Sequence, residues 1–338
     1  MTIYVTYDEA VSAMTRGLVR FMDEERAKRF AEIIAGNSMD GVYSHGMNRY
    51  PRYIRTIESG MCDASVLKIE KVSGFGALET WDAKDGVGPL MAQQAAARAI
   101  ELAKAHGIAC VALKNNSHWL RAGRYALEMA QAGLCGICFT NTCQNLAPWG
   151  SMTKAIGNNP IAMSIPSKNG PLLMDMAISQ YAYGKMEVMA QQGKVLDVPC
   201  GYNKEGKETC DPKEIVNGGV MTPMAMWKGN ALSIMLDLMA AMLSGGQTSL
   251  DLGPDAENER GMSQVFIAIH PAAVGDMEEN ERRMRKMLDF LHGLEVMDGM
   301  PSVRAPGENL LATRARHAQQ GIPVAQETWE MILASGGK

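Results

Sequence analysis

The segment Tyr43-Ser44-His45-Gly46-Met47-Asn48-Arg49 sets an imidazole four residues ahead of a guanidinium, with a hydroxyl and a glycine beside the imidazole. A histidine titrates near neutral pH, so His45 can give or take a proton under working conditions. Arginine offers a planar fork of donors matched to a carboxylate, which suits Arg49 to holding an acid. The pair fits an enzyme that grips an acid by its carboxylate and protonates an oxygen nearby. A surface histidine opening an Arg- and Tyr-rich helix has the same pattern, and spacing alone does not separate the two readings.

The rest of the chain bounds what these residues can serve. Its 338 residues exceed the size at which one core stops growing, so two lobes are expected. Apolar residues make up 46% of the chain, as in ordinary globular proteins. A formal charge of -4 leaves no footprint for a polyanion and argues against nucleic acid. Asp8 and Glu9 interrupt the start of the chain, so it does not read as a signal peptide. The longest apolar stretch, Ala231 to Leu243, is broken by Asp237 and too short to span a bilayer. The expectation is a cytoplasmic protein with no membrane partner. Seven cysteines, an odd number, argue for reduced thiols. Cys135-Gly136-Ile137-Cys138 resembles half a zinc site, but it lies in a segment that reads as a buried strand and lacks a second half. No histidine pair has metal-ligand spacing, so no metal is expected. The 27 methionines recur at helical spacing, as at Met235, Met239 and Met242, and read as adaptable core filler.

Three helices are expected at the N-terminus. Thr6 and Glu9 make a capping box for the first, and Asp23 precedes the second. The third contains Arg52 to Glu58, with Pro51 in its first turn, leaving His45 just ahead of the helix. From about residue 67 strands alternate with helices: Ala77–Asp82, Ile108–Leu113, Gly136–Thr140, Leu172–Met176 and Val265–Ile269 read as strands. The helix Arg121–Gln131 between two apolar strands suggests a βαβ unit, with His118 in the loop after the first strand. Residues 198–213 and 252–261 read as loops. Met284, Met287, Leu288 and Leu291 form the inward face of a helix over residues 281–291, and the tail from Leu310 is helical. The division is 1–66, a helical region carrying His45; 67–309, a central α/β region; and 310–338, helices returning to the first region.

The dinucleotide fingerprint G-x-G-x-x-G is absent. Gly74 and Gly76 are followed by Glu79, and Gly86 and Gly88 by Met91, so all four glycines read as turns. Several motifs in order nevertheless resemble the type-2 malate/lactate dehydrogenase family. They are Gly41-Val42-Tyr43-Ser44-His45-Gly46, Asn116-Ser117-His118-Trp119, Pro148-Trp149-Gly150, Asp175-Met176, Ala182-Tyr183-Gly184, Trp227-Lys228-Gly229 and Gln264 to Ile269. The resemblance implies an α/β fold: a non-Rossmann dinucleotide-binding domain on a mostly antiparallel mixed sheet, packed against a helical domain formed by both termini. It implies NADH-dependent reduction of a 2-oxo acid, sugar-derived, with NADPH as the alternative cofactor, in a homodimer.

Carried over by resemblance, His45 is the proton donor and His118 a second active-site histidine, either substrate ligand or proton relay. Arg49 clamps the carboxylate, Ser44 orients His45, and Asn141 faces the substrate. The cofactor is expected at Pro171, Leu172, Leu173, Met174, Asp175, Met176 and Ala177, at Trp227 and Lys228, and at Gly307, Glu308 and Asn309. Here Glu308-Asn309 departs from the His-Glu that follows the glycine in similar members. Within the family, malate, lactate or ureidoglycolate oxidation and imine reduction are neighbouring readings. Outside it stand a metal-independent sugar-acid isomerase or lyase using His45 and His118, and a non-catalytic sugar-acid-binding protein.

Overall fold

The computed structural model describes residues 1–255 and 259–337. A seven-stranded sheet runs in the order Glu70–Phe75, Leu78–Asp82, Ile108–Asn116, Met262–Ile269, Cys135–Thr140, Ile161–Ile165, Leu172–Met176. Leu78–Asp82 and Ile108–Asn116 pair in parallel, and every other neighbouring pair is antiparallel. The expected mostly antiparallel, non-Rossmann sheet is therefore present. Strands Ile108–Asn116 and Cys135–Thr140 flank the helix Ala122–Gln131 as expected. They do not pair, because Met262–Ile269 inserts between them. That inserted strand is nearly all apolar and buried, as a strand covered on both faces must be. Helices Gly88–His106 and Ala122–Gln131 cover one face of the sheet, and Trp227–Ser244 covers the other.

The termini meet. Thr2–Val5 pairs with Ile322–Ala325, and the helix Tyr7–Leu18 packs on both Glu24–Met39 and the last helix, Gln326–Ser335. The Thr6–Glu9 capping box forms as its residue types require. One continuous core joins this terminal layer to the sheet, so the helical part has no separate interior.

Three expectations need correction. Met235, Met239 and Met242 are not core: they are 55%, 41% and 82% exposed, because Trp227–Ser244 lies on the sheet through its opposite face. Of Met284, Met287, Leu288 and Leu291 only Met287 faces away, at 56% exposed; the other three form the half-buried face of the helix Met277–His292, and Met284 and Leu288 line a small cavity with Leu172 and Leu311. Residues 198–213 are not all loop: Gly201–Tyr202 and Glu208–Thr209 pair, and Val220–Met221 joins them in a small sheet. The loop reading over 252–261 begins on Leu252, which ends a short helix; its residues 256–258 lie outside the described residues.

The glycines set aside as turns fall into different settings. Gly76 makes the hairpin turn, with φ +58° and open space where a side chain would go. Gly74 lies inside the strand Glu70–Phe75. Gly88 begins a helix so close to the loop bearing His118 that a Cβ would stand 2.4 Å from the Ser117 carbonyl oxygen and 2.6 Å from that of His118. Gly88→Ala should therefore shift that loop and cost about 1–3 kcal/mol by overpacking. Gly76→Ala meets no neighbour, so its cost is confined to the backbone strain of a side chain at φ +58°, and it should leave the loop in place. Urea midpoints of the two variants check this, and an unperturbed Gly88→Ala protein would contradict it.

Candidate active site

Two backbone segments carry the histidines, and each is tied to the core. His45 ends a single turn of 3-10 helix, Tyr43–His45, that follows the helix Glu24–Met39. The end of that helix holds it: Asn37 donates through Nδ2 to the His45 carbonyl at 2.8 Å, and the Met47 N–H donates to Ser38 Oγ at 2.8 Å. Gly46 permits the approach, since a Cβ there would lie 2.1 Å from Ser38 Oγ. Pro51 occupies the first turn of the helix Tyr50–Glu58, as its missing N–H requires.

His118 lies just beyond the strand Ile108–Asn116. Tyr53 donates to its carbonyl at 3.1 Å, and the His118 N–H donates to the Glu259 carbonyl at 3.0 Å. Next to it, Ser117 donates to the Gly86 carbonyl at 2.9 Å and accepts from the Gly88 N–H at 2.8 Å. Trp119 packs with Tyr125 and Phe266 at ring separations of 5.4 Å, and those two rings lie 5.8 Å apart. Tyr125 also donates to the Trp119 carbonyl at 2.7 Å, pinning the loop to the helix Ala122–Gln131.

The imidazoles of His45 and His118 stack 5.7 Å apart at an interplanar angle of 15°. Ser44 Oγ and His45 Nδ1 hydrogen-bond at 3.0 Å, which orients the ring as expected. His118 Nδ1 accepts the Leu120 N–H at 3.1 Å, so the neutral ring carries its proton on Nε2. Burial, then His118 and Arg49, pull His45 down to about 3 against a partial opposing effect of Glu259. Burial, then Arg49 and Arg52, hold His118 well below the usual histidine range.

Both histidines line a cavity of about 490 Å³, within the span of small-molecule sites. Of the expected cofactor positions, Leu173, Asp175, Met176, Ala177, Gly307 and Asn309 share its wall. Pro171, Leu172 and Glu308 line a smaller neighbouring cavity of about 180 Å³. Met174 packs against the opposite face, in the layer of helix Trp227–Ser244. Trp227 and Lys228 open that helix in exposed positions outside both cavities. Backbone pairing of Ile178 and Gln180 with residues 222–224 keeps them near the end of the Leu172–Met176 strand.

Two substrate positions differ from expectation. Asn141 is fully buried outside the cavity wall; its Nδ2 donates to Asp237 and the Gln247 carbonyl at 3.0 and 2.6 Å, and its Oδ1 accepts the Ser263 N–H at 2.9 Å. Its amide joins strand ends together, with both N–H donors and the oxygen engaged. Arg49 lies beside the histidines but outside the cavity wall, and Glu259 pairs with it and, at 3.4 Å, with Arg52. Sequence reading missed Glu259, Asp40 and Arg121. Asp40 and Arg121 line the cavity; only the three-residue offset from His118 hinted at Arg121.

A cavity with two stacked neutral imidazoles, adjoining guanidinium groups and apolar walls can hold a small acid and polarise its carbonyl. Known proteins carry the same arrangement of sequence and fold. The chain belongs to the malate/L-lactate dehydrogenase family, which it matches over residues 5–333, and it is an oxidoreductase. It is 38% identical to 2,3-diketo-L-gulonate reductase of Escherichia coli O127:H6 (strain E2348/69 / EPEC), over 98% of this chain and 99% of that one. Its fold is similar to sulfolactate dehydrogenase from Methanocaldococcus jannaschii, with TM-score 0.92, 26% identity and coverage of 99% and 97% of the two chains. It is also similar to Δ1-piperideine-2-carboxylate reductase from Pseudomonas syringae pvar. tomato, with TM-score 0.86, 27% identity and coverage of 98% and 99%.

The depressed histidine makes a prediction about acid stability. An unfolded histidine takes up its proton near 6.5, whereas folded His45 does so at about 3. The unfolded state therefore binds more protons in that window. The associated stability is complete above the unfolded value and is lost as pH falls toward the folded one. His45→Asn should lose less stability than the wild type between about pH 7 and pH 4. Urea midpoints across that range test it, and parallel curves for the two proteins would refute it.

Proposed function

We propose that the protein reduces 2,3-diketo-L-gulonate, or a closely related sugar-derived 2-oxo acid, to the 2-hydroxy acid, with NADH as hydride source and His45 as proton donor. The observation that carries this reading is the cavity itself. It joins both histidines to the strand Leu172–Met176 and to Gly307, the segments expected to hold a dinucleotide. Leu173, Met176, Ala177 and Leu310 offer apolar and backbone surface for a flat ring, and the volume suits a ring with a small acid beside it. A nicotinamide bound there supplies the hydride. The relatives' similarity in sequence and fold supports the choice of substrate class and cofactor.

The protein's own groups supply the remainder. As hydride reaches the ketone carbon, its oxygen collects negative charge. His118, with its proton on Nε2, donates a hydrogen bond to that oxygen and needs no change of protonation. His45 delivers the proton, with Ser44 on Nδ1 fixing its ring. Burial is the main cause of its low proton affinity, with His118 and Arg49 adding to it; a bound carboxylate would offset the guanidinium charge and raise it. Arg49 takes the substrate carboxylate by exchange with Glu259.

We also read the protein as a homodimer in the cytoplasm. Seven unpaired thiols suit a reducing compartment. Trp227, Met235, Leu238, Met239 and Met242 form an exposed apolar face on one helix, and Met287 and Phe290 are exposed on another. A second copy pairing over the first face would cover Trp227, at 60% exposure, and enclose the cofactor positions beside it.

The decisive measurement is loss of NADH absorbance with a panel of 2-oxo acids. His45→Asn should bind NADH normally and lose about 10²–10⁴-fold in kcat. Near wild-type kcat would remove His45 from its role. Arg49→Lys should raise KM sharply, because an ammonium cannot reproduce a bidentate grip. An unchanged KM moves the clamp elsewhere. An active monomer in sedimentation equilibrium at assay concentration would sink the dimer.

A further inference from the structure

Arg121 stands between the strand Ile108–Asn116 and the helix Ala122–Gln131, with its side chain 3% exposed. Its Nη1 lies 3.2 Å from Asp40 Oδ2, and its Nε 3.0 Å from Asp175 Oδ2. Charge attraction at these distances holds the guanidinium in place. Yet none of its three nitrogens makes a hydrogen bond, so its N–H groups are not aimed at either carboxylate. Neither partner is free to turn toward it. Asp40 accepts from Arg314 Nε at 2.7 Å through Oδ1, and Asp175 is held by the N–H of Gly123. Buried donors left without acceptors destabilise a fold, and such groups persist where something else fills them.

The placement says what that is. Arg121 lines the cavity shared by His45 and His118, and its charge is among those that lower the proton affinity of His45. A molecule in the cavity therefore shares its walls with both His45 and this guanidinium. Arg49 and Arg52 differ, because Glu259 already faces both from outside the cavity wall.

We propose that Arg121 is a second ligand-gripping guanidinium of the site, which takes an anionic oxygen pair of the molecule in the cavity through its fork of N–H donors. This rests on the reductase reading and adds to it a residue that reads the ligand. The oxygen pair has two sources, the carboxylate end of the oxo acid and a phosphate of the dinucleotide, with identical chemistry toward a guanidinium.

Calorimetric titration of the whole protein separates them, with NADH alone as one probe and oxamate, a non-reducible carboxylate analogue, added to the NADH-loaded protein as the other. Arg121→Gln should weaken one probe by about 10–100-fold, as expected for losing a charged hydrogen-bonded pair. Weaker NADH binding assigns the phosphate; weaker oxamate binding with intact NADH binding assigns the carboxylate. Arg121→Lys keeps a positive charge between Asp40 and Asp175 but loses the fork, so it should fold and show a smaller loss of the same probe. If Arg121→Gln does not fold, Arg121→Lys decides alone. Wild-type affinity for both probes in the folded variants overturns the assignment and leaves the reductase reading standing. A wild-type protein that binds neither probe overturns both.

Discussion

Two imidazoles stack 5.7 Å apart among guanidinium groups, and burial together with these charges favours the neutral form of both. Much of the surrounding structure follows from that constraint. Each nearby cation comes with a carboxylate: Glu259 at Arg49 and Arg52, Asp40 and Asp175 at Arg121. The balance leaves little uncompensated charge in the site, which a low-dielectric interior tolerates poorly. It also prepares the site for an acid. On the proposed reading, a carboxylate entering between the guanidinium groups would tip the field toward the negative and raise the proton affinity of His45.

The same site accounts for a sheet without a glycine-rich nucleotide loop. In a doubly wound fold the phosphates lie against a tight turn and the helix that follows it. Here the helix after Gly86 and Gly88 points its first turn at the Ser117–His118 loop, and the Gly88 N–H is spent on Tyr53 and Ser117. The close approach that glycine permits serves the loop bearing His118. The cavity instead opens beside the edge strand Leu172–Met176, where Leu173 hydrogen-bonds to the Pro306 carbonyl and brings Gly307 alongside.

Local signals were legible in the sequence wherever one residue's chemistry decided the outcome. The Thr6–Glu9 cap, Pro51 in a first turn, Gly107 ending its helix at φ +86° and the turn bearing His45 all form where residue type requires. Apolar runs located the central strands, but the insertion of Met262–Ile269 between two earlier strands depends on contacts far apart in the chain. Helical periodicity marked the stripe of Met235, Met239 and Met242 without saying which way it faces, since an apolar stripe bound for a partner and one bound for the core have the same spacing. At the site, histidines and the segment 171–177 could be picked out from motifs. Asn141 could not be told from a ligand-facing amide, because its partners Asp237, Gln247 and Ser263 come from distant parts of the chain.

The two ends of the site hold their charges differently, and the difference follows from where the carboxylates reside. Asp40 caps the end of a core helix and Asp175 lies in the edge strand, so their hold on Arg121 is built from fixed backbone. The Arg121 and Asp40 side chains are 3% and 1% exposed, which makes separating them costly. Glu259 reaches Arg49 from a loop, and those side chains are 17% and 15% exposed. Water can screen the parting of that pair, so exchanging Glu259 for an incoming carboxylate costs far less than breaking the inner one. On the proposed reading a ligand would displace a partner at Arg49, whereas at Arg121 it would add acceptors to donors that have none.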